Sequence, residues 1–156
     1  MTLASFNASS SDEAVAVMLS CCASRRFAAT MAEGRPYSSV AAAQLAVSRA
    51  FDSLTWDDVL EALSEHPRIG DRAAGQSAAE QSGVGEGSRA GLAAGNTRYE
   101  ARFGHVFLIC ATGLTGEQMR GALEERLEND PYTERKVATA ELEKITLLRV
   151  RKALGA

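Results

Sequence analysis

A serine or threonine followed three residues later by a carboxylate or amide recurs at the head of successive stretches of this chain. Ser10 and Glu13, Thr55 and Asp58, and Thr115 and Gln118 all have this spacing. Side chains so placed can each accept a hydrogen bond from the other's backbone N–H, which favours the first turn of a helix. Alanine-rich or amphipathic stretches follow, and β-branched runs are short, so the sequence predicts an all-α fold. Helices are expected over residues 14–22, 39–54, 55–65, 88–102, 117–129 and 133–154, the last after a break at Pro131. The middle of the chain differs. Seven of the thirteen glycines fall between Gly70 and Gly95, which predicts a long Gly-rich loop region and then a helix interrupted at Gly91 and Gly95. No internal repeat or interdomain linker is visible. Residues 1–156 therefore read as one single-domain helical bundle.

Composition excludes several function classes. The net charge is −3, so no general attraction to nucleic acid or to a membrane surface is written into the chain. An anionic substrate has to be met by individual arginines. The longest apolar runs, such as 106–111, are far too short to cross a bilayer. No secretory signal opens the sequence and no peroxisomal ending closes it, and three cysteines, two of them adjacent, make a poor disulfide framework. The expected compartment is a cytoplasm. There is no His-Glu-x-x-His and no Cys-x-x-Cys, so no metal site is expected.

The chemistry concentrates at His66-Pro67-Arg68-Ile69-Gly70-Asp71. Histidine can give and take a proton near neutrality, and proline pushes it out of the α region, so His66 is held at a helix–loop junction. Ser77-Ala78-Ala79-Glu80-Gln81 follows. The Ser77–Glu80 spacing is again that of a capping box, which explains both residues without chemistry. The same helix start offers free N–H groups to an anion, while Glu80 and Gln81 add an acceptor and an amide suited to a ureido or imide group. Asn96-x-x-Tyr99 leads to Phe103-Gly104, then to the apolar segment Phe107-Leu108-Ile109-Cys110-Ala111. Arg126, Glu134 and Arg149 lie on the last two helices. At 100° per residue, Arg149 lies about 40° from Ile145 and between Ala138 and Leu142. It therefore sits within the apolar stripe, where an arginine needs an anionic partner, either a ligand or an acid such as Glu134. His105 is placed to approach the same region or to face away from it. Cys110 reads as a small buried hydrophobe.

In order and spacing, these motifs resemble the OHCU decarboxylase family, OHCU being 2-oxo-4-hydroxy-4-carboxy-5-ureidoimidazoline. The resemblance runs from about residue 6 to residue 154. It implies an all-helical domain that forms a homodimer, needs no metal or organic cofactor, and converts OHCU to (S)-allantoin. It implies His66 as the catalytic acid/base; for that chemistry Glu80 is expected, from its residue type, to orient the imidazole or to bond the ureido arm. Pro67, Ser77, Ala78, Ala79, Glu80, Gln81, Phe107, Leu108, Ile109, Cys110 and Ala111 line the substrate pocket on this reading; Arg149 is expected as a further substrate-binding residue from its place on the last helix, not from the resemblance. Two positions depart from the family's pattern. Gln76 stands where an aromatic is frequent, and His105 where an apolar residue is frequent. The residues by themselves also fit a non-catalytic helical binding module, or a cofactor-free lyase or hydrolase acting on another ureido compound.

Overall fold

The computed structural model describes residues 1–69 and 86–155, and among these every regular element is a helix. The order is α1 (Leu3–Ala8), α2 (Ser11–Cys21), α3 (Arg25–Glu33), α4 (Val40–Ser53), α5 (Trp56–Leu63), α6 (Glu86–Phe103), α7 (Gly116–Arg126) and α8 (Pro131–Ala153). The all-α expectation holds. The Gly-rich connection and the Ser77–Gln81 group lie outside the described residues.

The caps explain where the helices start. Ser10 and Thr115 form reciprocal boxes with Glu13 and Gln118, as the spacing predicts. Thr55 and Asp58 bond each other's backbone N–H at 2.9 and 3.3 Å at the head of α5. Pro131 does not merely break the chain. It is the first residue of α8, where its missing N–H costs nothing, and Asp130 caps the helix by accepting from the Thr133 N–H at 2.9 Å. Two short helices, α1 and α3, were not expected from the sequence. Each has a side-chain cap, Thr2 and the buried Ser24. The helix after the glycine-rich stretch runs without interruption through Gly91 and Gly95. At Gly95 an added Cβ would overlap the Leu123 side chain, so this glycine lets α6 and α7 approach closely.

Two compact units divide the chain. One comprises Met1–Ala62 with Leu142–Ala156, and the other Leu63–Glu141. In the first, α2 packs on α3, and Phe27 meets Phe51 edge-on with ring centroids 5.6 Å apart. Cys21 and Cys22 are buried there, and all three cysteines are free thiols. In the second, α6 packs on α7. Ile69, Leu92, Tyr99, Phe107, Ile109, Ala111, Met119 and Leu123 form its core. No helix among the described residues is long and apolar enough to cross a membrane.

Candidate active site

His66 lies three residues beyond the end of α5, on a turn closed by its own N–H donating to the Leu63 carbonyl at 3.1 Å. Both His66 and Pro67 are half-buried. The chain beyond them is fastened to α6 by two side chains one turn apart. The buried Asn96 donates from Nδ2 to the Ile69 carbonyl at 2.7 Å. Glu100 receives Nε and Nη2 of Arg68 at 2.7 and 3.0 Å, a two-point contact that fixes direction as well as distance. Ile69 is itself buried in the core of this unit. The histidine is thus held from both sides in sequence, by the helix end before it and by α6 after it.

That core also holds the second predicted segment. Phe107, Ile109 and Ala111 join the cluster that contains Ile69, while Leu108 is buried outside it. Every second residue facing one way is the pattern of an extended chain. Cys110 is half-buried. This segment belongs to no helix or strand, so side chains must meet its backbone groups. Arg126 Nη1 donates to the Leu108 carbonyl at 2.5 Å, and the Cys110 N–H donates to Glu141 Oε1 at 3.0 Å.

Arg126 is held in turn by a buried network. Its Nε and Nη2 both reach Glu134 Oε2, at 2.9 and 2.6 Å, and the Tyr99 hydroxyl donates to the same oxygen. Asn129 Nδ2 reaches Oε1 at 3.1 Å. Glu134 is fully buried and Arg126 nearly so. The guanidinium also lies over the Phe107 ring, 4.5 Å from its centroid. Burial, followed by the bond to Glu134, drives the Tyr99 hydroxyl far above its ordinary pKa, so it serves as a donor only. The acid proposed as a structural partner of Arg149 is therefore taken up by Arg126.

His105 packs on Tyr99 and Phe103, with ring centroids 5.5 and 6.3 Å away, and its Nδ1 lies 3.1 Å from the Val106 carbonyl. Burial lowers its pKa below the ordinary 6.5. Arg149 belongs to the first unit, where it is half-buried. Its charge there slightly favours the thiolate forms of Cys21 and Cys22, but burial dominates and lifts Cys22 to about 11. Neither thiol is poised as a nucleophile.

Of the residues singled out from sequence, the second unit holds His66, Pro67 and Phe107 to Ala111, while Ser77, Ala78, Ala79, Glu80 and Gln81 lie outside the described residues. Glu100 and Glu141 were given no role from the sequence. For Glu141 a signal was present, since it falls near the apolar face of the last helix. Glu100 carries none that separates it from a solvated acid.

The family model described as OHCU decarboxylase matches residues 7–151. A uric acid degradation bifunctional protein of Arabidopsis thaliana is 38% identical over 144 residues, covering 85% of this chain and 44% of that protein. This chain thus spans less than half the length of that relative. The 2-oxo-4-hydroxy-4-carboxy-5-ureidoimidazoline decarboxylase of Amia calva is 32% identical over 134 residues, covering 79% of this chain and 77% of that protein. A solved OHCU decarboxylase, crystallised in the presence of (S)-allantoin, superposes with a TM-score of 0.76 at 37% identity, over 88% of this chain and 96% of that one. An (S)-allantoin synthase shares the fold, with a TM-score of 0.73 at 17% identity, over 99% of this chain and 54% of that one. A family match over residues 7–151, relatives more than 30% identical over most of the chain and a shared fold lead to one conclusion: the chain belongs to the OHCU decarboxylase family.

Proposed function

We propose that this chain decarboxylates OHCU to (S)-allantoin, a step of urate degradation in purine catabolism. The observation that carries the reading is the placement of His66. It is held on a turn whose continuation, Ile69, shares a core with the Phe107–Ala111 segment, in a chain of this family.

The substrate explains how such a site suffices. OHCU carries its carboxylate on a carbon that also bears a hydroxyl and adjoins a C=N bond. When the C–CO2 bond breaks, its electron pair moves into that imine, so the substrate supplies its own electron sink and needs no organic cofactor or metal to provide one. The resulting ene-ol is protonated on one face to give (S)-allantoin. His66 handles a proton at the hydroxyl or at the reacting carbon. Glu80 orients the imidazole or bonds the ureido arm, and Ser77 and Gln81 fix the remaining polar groups. Pro67, Ala78, Ala79 and the 107–111 segment wall the pocket. Positioning together with one general acid/base, worth about 10²–10⁴-fold for the latter, is within ordinary enzymatic reach. The whole of residues 1–156 acts as one catalytic domain, working as a homodimer in the cytoplasm with no nucleic-acid or membrane partner.

The test is turnover of freshly generated OHCU by wild type and by His66→Ala, beside a panel of other ureido compounds. Wild type is expected to consume OHCU alone, and His66→Ala to fall to the spontaneous rate with unchanged melting. A variant within a few-fold of wild type, or preference for another ureide, overturns the assignment.

A further inference from the structure

The apolar segment 107–111 presents a physical problem that its sequence does not solve. It is buried, yet it belongs to no helix or sheet, so it has no ladder to hold its backbone in place. Two groups only two residues apart, the Leu108 carbonyl and the Cys110 N–H, are met by side chains from two different helices. Arg126 of α7 donates to the first at 2.5 Å, and Glu141 of α8 accepts from the second at 3.0 Å. Apolar packing alone leaves an extended strip free to slide by a fraction of an ångström along its own axis. A donor at one residue and an acceptor two residues on fix that coordinate.

We infer that Arg126 and Glu141 are positioning residues that set the pocket wall for the decarboxylation, acting through the backbone of Leu108 and Cys110 rather than on the substrate. The inference rests on the function proposed above, because it takes residues 107–111 as the wall. The two ends of the clamp differ in character. Arg126 is locked by Glu134, which Tyr99 and Asn129 also bind, so its end is rigid and belongs to the core. Glu141 is half-buried, so its end can be altered without opening the core. Glu141 is therefore the residue to test.

Glu141→Leu removes the acceptor, and Glu141→Gln keeps an acceptor oxygen while removing the charge. For Glu141→Leu the expected result is a KM raised roughly ten-fold, with kcat falling less, because small displacements of a binding surface are costly. Glu141→Gln stays within about three-fold of wild type, since the bond to Cys110 survives. Partial unfolding lowers the amount of active enzyme, hence apparent kcat, and leaves KM unchanged, so the split separates positioning from bulk stability. Should leucine disturb packing, Glu141→Ala gives the same comparison.

Maleimide labelling of Cys110, read by intact mass and peptide mapping, gives a second readout that does not depend on activity. Cys21 and Cys22 are each 1% exposed and Cys110 is half-buried, so Cys110 is the thiol expected to react in the folded protein. Its labelling is expected to quicken several-fold in Glu141→Leu and not in Glu141→Gln. Wild-type KM and wild-type labelling in Glu141→Leu overturn the inference, as does a glutamine variant as impaired as the leucine one. If wild type fails to turn over OHCU while the labelling rates differ as expected, the functional reading falls and the clamp stands.

Discussion

Glu134 is fully buried, and its two carboxylate oxygens receive donors from Arg126, Tyr99 and Asn129. A buried pair of this kind gives little net stability over an apolar pair of the same shape, but removing one partner leaves an uncompensated charge. Glu134→Leu is therefore expected to lower the unfolding free energy by about 3–5 kcal/mol in urea titrations. The double variant Arg126→Met/Glu134→Leu is expected to recover much of that loss. His105 supplies the pH dependence at this scale. Its folded pKa lies below the ordinary 6.5 because burial disfavours the imidazolium, and Arg126 and Arg135 oppose it further while Glu134 favours it. The unfolded chain thus binds more protons at this position than the folded one. The neutral ring's contribution is complete above about pH 6.5 and is lost as the pH falls through the lower folded value. His105→Phe is expected to flatten the dependence of melting temperature on pH just below 6.5, and an unchanged slope would refute this. The sequence pointed to Arg126, Glu134 and Tyr99 as members of the site. It could not show that they form one buried network whose arginine meets the Leu108 carbonyl, because that depends on contacts 8 to 35 residues apart along the chain.

At the scale of the element, the helices were largely legible because their start signals are local. Ser10, Thr55 and Thr115 each cap the helix their spacing announced. The short α1 and α3 were harder to read, since six and nine residues give few turns of periodicity. Gly95 shows why the expected interruption in α6 does not occur. The helix keeps its hydrogen bonds, and the missing side chain makes room for Leu123. Gly95→Ala is expected to destabilise by about 1–3 kcal/mol, the usual cost of overpacking. Gly121 makes the contrast on α7. It is exposed, and an added Cβ meets nothing within 4 Å. Gly121→Ala is expected to stabilise by roughly 0.5–1 kcal/mol through helix propensity alone. Thermal or urea unfolding of both variants checks the pair, and equal shifts would contradict the account.

For the molecule as a whole, the sequence carried the family through motifs spaced along nearly its full length, and the matched residues 7–151 bear that out. It did not reveal that the chain condenses as two compact units, Met1–Ala62 with Leu142–Ala156 and Leu63–Glu141. One boundary falls inside α8 and the other at the end of α5, and neither is marked by a break in composition. A homodimer is expected to sediment at twice the 16.5 kDa of one chain, and a monomer mass at catalytic concentrations would remove that part of the proposal. At this scale the molecule's proposed task is one reaction, with His66 as its acid/base. It is tested most directly by generating OHCU in the cuvette and following circular dichroism as it decays, with wild type, His66→Ala and a protein-free blank side by side. Rapid growth of the (S)-allantoin signal is expected with wild type only. Decay that matches the blank in all three samples would contradict it.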